Sequence, residues 1–109
     1  MSNYAAGANF ERSVRTYYEN KGMYCVRSAG SHGAVDLLAW DAIHFYLIQC
    51  KKESKKNNYK DDIQRLRQVP IQSGWKRLLW IKKGKVIEIH DIDWGTIDYV
   101  TLKELKASD

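Results

Sequence analysis

The stretch Arg27-Ser28-Ala29-Gly30-Ser31-His32-Gly33-Ala34-Val35-Asp36, followed by an apolar return that ends Gln49-Cys50-Lys51-Lys52, decides how this chain folds. A loop rich in glycine and serine feeds a short apolar strand that carries one acid. A second apolar strand comes back and ends in an amide and a lysine, two residues apart. Residues i and i+2 of a strand point to the same face. Gln49 and Lys51 should therefore emerge together, with Cys50 turned the other way into the core. With Asp36 facing them from the neighbouring strand, an Asp, a Gln and a Lys gather on an otherwise apolar sheet. The same residues also fit a pair of edge strands with polar ends.

Working outward, the pattern predicts strands over 23–27, 34–40 and 43–51, with a turn near Asp41-Ala42. The apolar runs of the second and third strands lack alternation, which predicts cover on both faces. Upstream, a helix is expected from Ala8 or Asn9 to Lys21, stopped by Gly22 in the left-handed region. Phe10, Val14 and Tyr17 form its buried stripe. Glu11, Arg15 and Tyr18 lie on an adjoining face, where Glu11 and Arg15 fit an ordinary i,i+4 surface pair.

Downstream, 51–58 is a solvated basic loop. A second helix follows, with Asp61 and Asp62 suited to its first turn by the macrodipole. Ile63, Leu66 and Val69 form its apolar stripe, Gln64 faces solvent, and Pro70 ends it. Two more strands, 75–82 and 85–90, flank a Lys83-Gly84 turn, and Trp75, Leu78, Leu79, Trp80 and Ile81 there belong to core or to an interface. The tail from Asp91 reads as a strand closed by a short polar helix.

The chain has 109 residues with 44% hydrophobic content, enough for one domain over 1–109 with a modest core. A formal net charge of +5 favours a polyanionic partner without choosing among DNA, RNA and acidic protein. No apolar run approaches the roughly 20 residues that span a bilayer. The first residues lack the basic and apolar regions of a signal peptide. The expectation is a cytoplasmic protein, or one of the host cytosol if the source is a virus, with no membrane partner and no small-molecule cofactor. Cys25 and Cys50 sit in strand patterns without metal-ligand spacing and read as reduced core thiols. His32, His44 and His90 do not cluster and receive no catalytic role.

Taken together, Gly7, Phe10-Glu11-Arg12, Val26-Arg27-Ser28-Ala29-Gly30-Ser31, Val35-Asp36-Leu37 and Cys50-Lys51 make the chain resemble the archaeal-type Holliday-junction resolvases of the PD-(D/E)xK nuclease superfamily. The resemblance covers roughly the first half in order and spacing. It implies an α/β, restriction-endonuclease-like core: a mixed central sheet of about five strands flanked by helices. It also implies a Mg²⁺-dependent, homodimeric endonuclease that resolves four-way DNA junctions by paired symmetric nicks, with Mn²⁺ able to substitute.

The resemblance assigns catalytic roles to Glu11, Asp36, position 49, Lys51 and Ser31. Metal ligands would be Asp36, Gln49, the backbone carbonyl of Cys50, and Glu11 through water. Lys51 would orient the attacking water or steady the pentavalent phosphorus. Arg12, Arg15, Arg27, Ser31, Lys52, Lys55 and Lys56 would contact DNA. Branched double-stranded DNA is the implied substrate.

The chain departs from the family at Gln49, where relatives carry Glu. An amide oxygen still coordinates a hard cation but brings no charge. Three explanations are open: a natural variant for which Glu11 and Asp36 suffice, a deliberate silencing change, or a protein that binds junctions without cutting. The rival functions are another small nuclease of the same superfamily for repair or restriction, a catalytically impaired junction-binding protein, and an RNA- or protein-binding scaffold.

Overall fold

A computed structural model describes residues 3–28, 33–56 and 58–107, with side chains described from Asn9 to Lys106 within those spans. The elements run α1 (Asn3–Glu19), β1 (Tyr24–Arg27), β2 (Leu37–Trp40), β3 (Phe45–Lys52), α2 (Lys60–Arg67), β4 (Lys76–Lys83), β5 (Val86–Asp91), β6 (Thr96–Thr101) and α3 (Leu102–Ala107). Among the described residues six strands form one mixed sheet in chain order, β1 to β6, one strand more than expected. Of these, β3 and β4 run parallel, and every other neighbouring pair is antiparallel. Parallel neighbours need a crossover, and α2 lies in that connection.

The first helix begins earlier than the pattern suggested. The added residues include Ala5 and Ala6, the strongest helix formers. It ends two residues earlier, at Glu19, through a closed C-terminal motif. The Gly22 N–H donates to the Glu19 carbonyl at 3.0 Å and the Met23 N–H to the Tyr18 carbonyl at 3.2 Å. Gly22 takes φ +85°, the left-handed turn that only glycine adopts without cost.

The stripe also rotates. Tyr18, expected on the side face, is 4% exposed, while Tyr17 is only partly buried. Phe10, Val14 and Tyr18 are each four apart, so the i,i+4 row is the buried one. Tyr18 accepts a 3.1 Å hydrogen bond from the Trp80 indole and meets that ring edge-on at 5.6 Å. Glu11 and Arg15 do not pair. Arg15 reaches Glu19 at 3.6 Å, and Glu11 reaches Arg27 at 3.7 Å.

Both faces of the sheet are covered, as the unbroken apolar runs implied. The α1 side holds Phe10, Val14, Tyr18, Leu37, Ala39, Ile48, Leu78 and Trp80, with Cys50 packed against them. The α2 side holds Leu66, Leu79, Ile81 and Ile92, flanked by Val35 and Ile63. Leu78 to Ile81 are thus core. Trp75 precedes β4 and stacks on Phe45 at 4.2 Å. Cys25 and Cys50 are free thiols.

Strand β2 starts later than predicted, at Leu37, and β3 starts later because the Asp41 side chain builds the turn before it, accepting from the backbone N–H of Ile43 and His44 at 2.8 and 2.6 Å. Gly84 turns β4 into β5 with φ +62°. Among the described residues no helix is long and apolar enough to cross a membrane.

Replacing Tyr18 by Phe leaves the buried Trp80 N–H without its acceptor. The expected loss is about 1–3 kcal/mol, at about 4–8 °C in Tm per kcal/mol for a domain near this size. Thermal unfolding followed by circular dichroism checks it, and an unchanged Tm would show that the bond contributes nothing.

Candidate active site at the end of the central strands

The site forms where β2 has not yet begun and β3 still continues. The Asp36 N–H donates to the Ile48 carbonyl at 2.8 Å, the last backbone bond on that edge before the chain turns away. Two residues further along β3, the Cys50 N–H meets a side chain instead: Asp36 Oδ2 accepts it at 2.9 Å. The N–H and C=O of one strand residue leave the same edge, so the Cys50 carbonyl emerges on the side where Asp36 stands.

Alternation along β3 sends Cys50 into the α1 core and sends Gln49 and Lys51 to the opposite face, as expected. Gln49 lies opposite Leu79 and Lys51 opposite Ile81 in the parallel register with β4. Lys51 acts electrostatically on the Asp36 carboxylate, so the acid and the ammonium share one locality.

Burial raises the Asp36 pKa. The Cys50 N–H, Lys51 and Arg27 pull it down, Asp62 adds to the rise, and the net shift is upward. Glu11 is raised likewise, first by burial and then by Asp36, with Arg27 opposing. Burial holds the Cys50 thiol well above its usual range, which keeps it protonated. Two carboxylates that resist ionisation where they stand are the setting in which a bound cation repays most.

Gln49 is 7% exposed, and its Oε1 accepts no hydrogen bond among the described residues. A buried acceptor without a donor is costly, and a hard cation is the partner such an oxygen fits. Together with the Asp36 carboxylate and the Cys50 carbonyl it would make an all-oxygen donor set of the type hard divalent cations take. Among the described residues no three His, Cys, Asp or Glu side chains converge to hold a metal. Such a set would therefore depend on the amide and the backbone.

Glu11, Arg12, Arg15 and Arg27 line a cleft of about 200 Å³. Arg12 is exposed and donates to Asn9 Oδ1 at 3.3 Å. Three arginines around one cleft suit phosphate oxygens. Lys52, Lys55 and Lys56 are exposed and follow directly on Lys51. Ser31 lies outside the described residues, as does His32. His44 pairs with Asp41, and His90 with Glu88.

One residue of the site escapes the sequence reading. Asp62, expected to serve only the dipole of α2, is 5% exposed and stands 3.4 Å from Lys51 Nζ and 2.9 Å from Arg65. Its signal is its spacing: it precedes the buried Leu66 by four and so shares that residue's inward face.

The sequence pattern of the family described as archaeal Holliday junction resolvase (Hjc) matches residues 2–107. The chain belongs to the Hjc family. The curated "Crossover junction endodeoxyribonuclease Hjc" of Methanocaldococcus jannaschii is 35% identical over 109 residues, covering 95% of this chain and 81% of its own. The structure of Archaeoglobus fulgidus Hjc, titled a Holliday junction resolvase from an archaeal hyperthermophile, superposes with a TM-score of 0.62. It has 15% identity and covers 94% of this chain and 88% of that one, and so supports the Hjc fold alone.

Because its folded-state pKa lies above the ordinary 3.8, Asp36 costs the metal-free protein stability once it ionises. The cost is absent below the ordinary pKa and complete above the raised one. Asp36→Asn, whose amide oxygen still accepts from Cys50, should therefore melt no lower than wild type near neutral pH in chelator. Its advantage should shrink to nothing as pH falls through that window. A variant less stable at neutral pH than at acid, relative to wild type, would overturn this account.

Proposed function

We infer that this chain is a metal-dependent crossover junction endodeoxyribonuclease that resolves four-way DNA junctions. The supporting observation is an Asp36 carboxylate bonded to the Cys50 N–H at 2.9 Å, beside Lys51 at the end of the central strands, in a chain of the Hjc family. Hydrolysis of a phosphodiester needs an activated water and neutralisation of charge growing on the non-bridging oxygens. A divalent ion, for which we propose Mg²⁺ with Mn²⁺ as substitute, supplies Lewis acidity and a nucleophilic water when bound.

The chain's own residues do the rest. Asp36, Gln49 Oε1 and the Cys50 carbonyl would hold the ion, and Glu11 would support it through water. Lys51, steered by Asp62, points its ammonium at the scissile phosphate, orients the water and offsets the phosphorane charge. Arg12, Arg15 and Arg27 take phosphate oxygens by charge-assisted hydrogen bonds, with Arg27 trading Glu11 for DNA. Lys52, Lys55 and Lys56 follow the backbone of an arm without reading bases. Ser31 touches the backbone near the cut. A homodimer whose two-fold axis matches that of the junction places two such sites for symmetric nicks. A DNA-processing protein of this kind works in the cytoplasm.

In Mg²⁺ the protein should nick a synthetic four-way junction at paired positions and leave the matching linear duplex intact, with a sedimentation mass of two chains. Asp36→Asn should lower the nicking rate by roughly 10²-fold or more, as removal of a preorganised charged group does. Equal cutting of duplex and junction would point to another nuclease of the superfamily. Tight binding without cutting in either metal, even after Gln49→Glu, would point to a junction-binding protein.

Arg27→Ala should weaken junction binding and reduce the slope of log affinity against log salt by about 1. An unchanged slope would remove Arg27 from the phosphate contacts.

A further inference from the structure

Cover on the face that carries Gln49 and Lys51 is partial. There α2 sits over Leu79 and Ile81, while α1 and α3 pack on the opposite face. Alternation puts Phe45, at the start of β3, on the Gln49 face, and its neighbours across the strands are aromatic. Tyr24 stacks on Trp40 at 5.7 Å, Trp40 on Phe45 at 6.2 Å and Phe45 on Trp75 at 4.2 Å, each pair within 22° of parallel. Trp75 and Trp94 line one cavity of about 400 Å³, so the row runs from β1 to the turn between β5 and β6. None of these rings belongs to either core cluster.

The row leaves a large apolar area in water. Tyr24 is 70% exposed, Trp94 79%, and Ile43, in the adjoining turn, 84%. At about 150–250 Å² for a whole aromatic side chain, these residues and the half-buried rings expose roughly 600 Å². The largest patch on a typical monomer is about 300–600 Å², and a standard interface takes about 800 Å² from each partner. Charge decides the occupant. No charged side chain stands in the row, and the ions at its border are already paired: Arg77 with Asp93, Lys76 with Asp91 at 3.6 Å, and His44 with Asp41 at 3.0 Å. DNA is held through its phosphates by cations, and stacking platforms for single strands add a positive groove to their rings. The exposed Lys52, Lys55 and Lys56 instead follow the other end of β3. A chain of net charge +5 repels its copy, and a neutral apolar patch is where two copies approach with least repulsion.

We propose that the aromatic row is an isologous interface, on which a second copy of this chain lies row against row about a two-fold axis. This rests on the homodimer reading above and goes beyond it in naming the surface. Lys51 lies six residues along β3 from Phe45, roughly 20 Å at the rise of a strand. An axis through the row therefore leaves both candidate sites clear of the contact.

The test is sedimentation equilibrium of wild type, Y24E, W94E and the double variant Y24E/W94E, with a circular dichroism melt of each and junction binding and nicking measured in parallel. Tyr24 and Trp94 are mostly in water in the single chain, so a charge there leaves its fold intact. Wild type should sediment as two chains. Each single variant should weaken association by roughly 30-fold or more, the loss on truncating an aromatic hot spot. The double variant should be a monomer that nicks the two strands of a junction independently. If a variant does not melt cooperatively, Y24A and W94A carry the comparison. Variants that associate as wild type does overturn the proposal and leave the homodimer reading standing; if they also lose junction binding, the row is a stacking surface for DNA. A monomeric wild type overturns the proposal together with the homodimer reading. A wild-type dimer that dissociates in the variants but never nicks a junction refutes the resolvase reading and leaves the interface in place.

Discussion

One hydrogen bond joins the fold to the chemistry: the Asp36 carboxylate accepting the Cys50 N–H. At this point β3 has outrun β2, and a central strand would expose a backbone donor inside the protein. The acid supplies the acceptor that the missing strand would have given. The same contact brings carboxylate, carbonyl and ammonium to the end of the sheet. Most strand ends expose their last donors to water. This one is half-buried, and its Cys50 donor is satisfied from within the fold. A site follows from that geometry: the groups that do the satisfying are charged, and charge held away from water is reactive.

The bond does not fully offset the cost of burying Asp36. Lys51 and Arg27 help, but burial still wins, and Glu11 is raised for the same reason. The acids therefore sit in a state that a cation relieves. The Glu11–Arg27 pair fits the same view. It is a provisional partnership at 3.7 Å, with Arg27 largely exposed, and a phosphate can replace it.

Much of this is legible in residue order. The two-residue period of β3 places Gln49 and Lys51 together and Cys50 in the core, because a strand leaves no other choice. Gly22 marks the end of α1 because its φ admits little else. What stays hidden in the sequence depends on rotation or distance. Tyr18 and Tyr17 differ by one step around a helix whose packing partner, Trp80, lies 62 residues away and chooses between them. The partner of Glu11 is Arg27 and not Arg15, a contact across the fold that spacing within a helix does not encode. Asp62 reads as a surface acid because acids usually are; the crossover that lays α2 over β3 and β4 is what brings it to Lys51.

That crossover raises the question of whether a charge on α2 is held firmly enough to matter. Eight residues are too few for a helix to persist on its own, and Tyr59 before it takes φ +64°, without a side-chain cap. The helix is fixed by tertiary contacts instead. Leu66 is fully buried against the Leu79–Ile81 surface. At its far end the Arg77 guanidinium donates to the carbonyls of Arg67 and Val69 and pairs with Asp93, while Arg67 donates to the Ile92 carbonyl at 3.0 Å. Arg77 stands on β4, and Ile92 and Asp93 follow β5, so the end of α2 is tied to the sheet that carries Lys51 through β3. Asp62, one turn before Leu66, inherits that fixity. A carboxylate on this helix is placed by the same sheet that carries Lys51, and for that reason their 3.4 Å pairing is held by the fold and not by the helix alone.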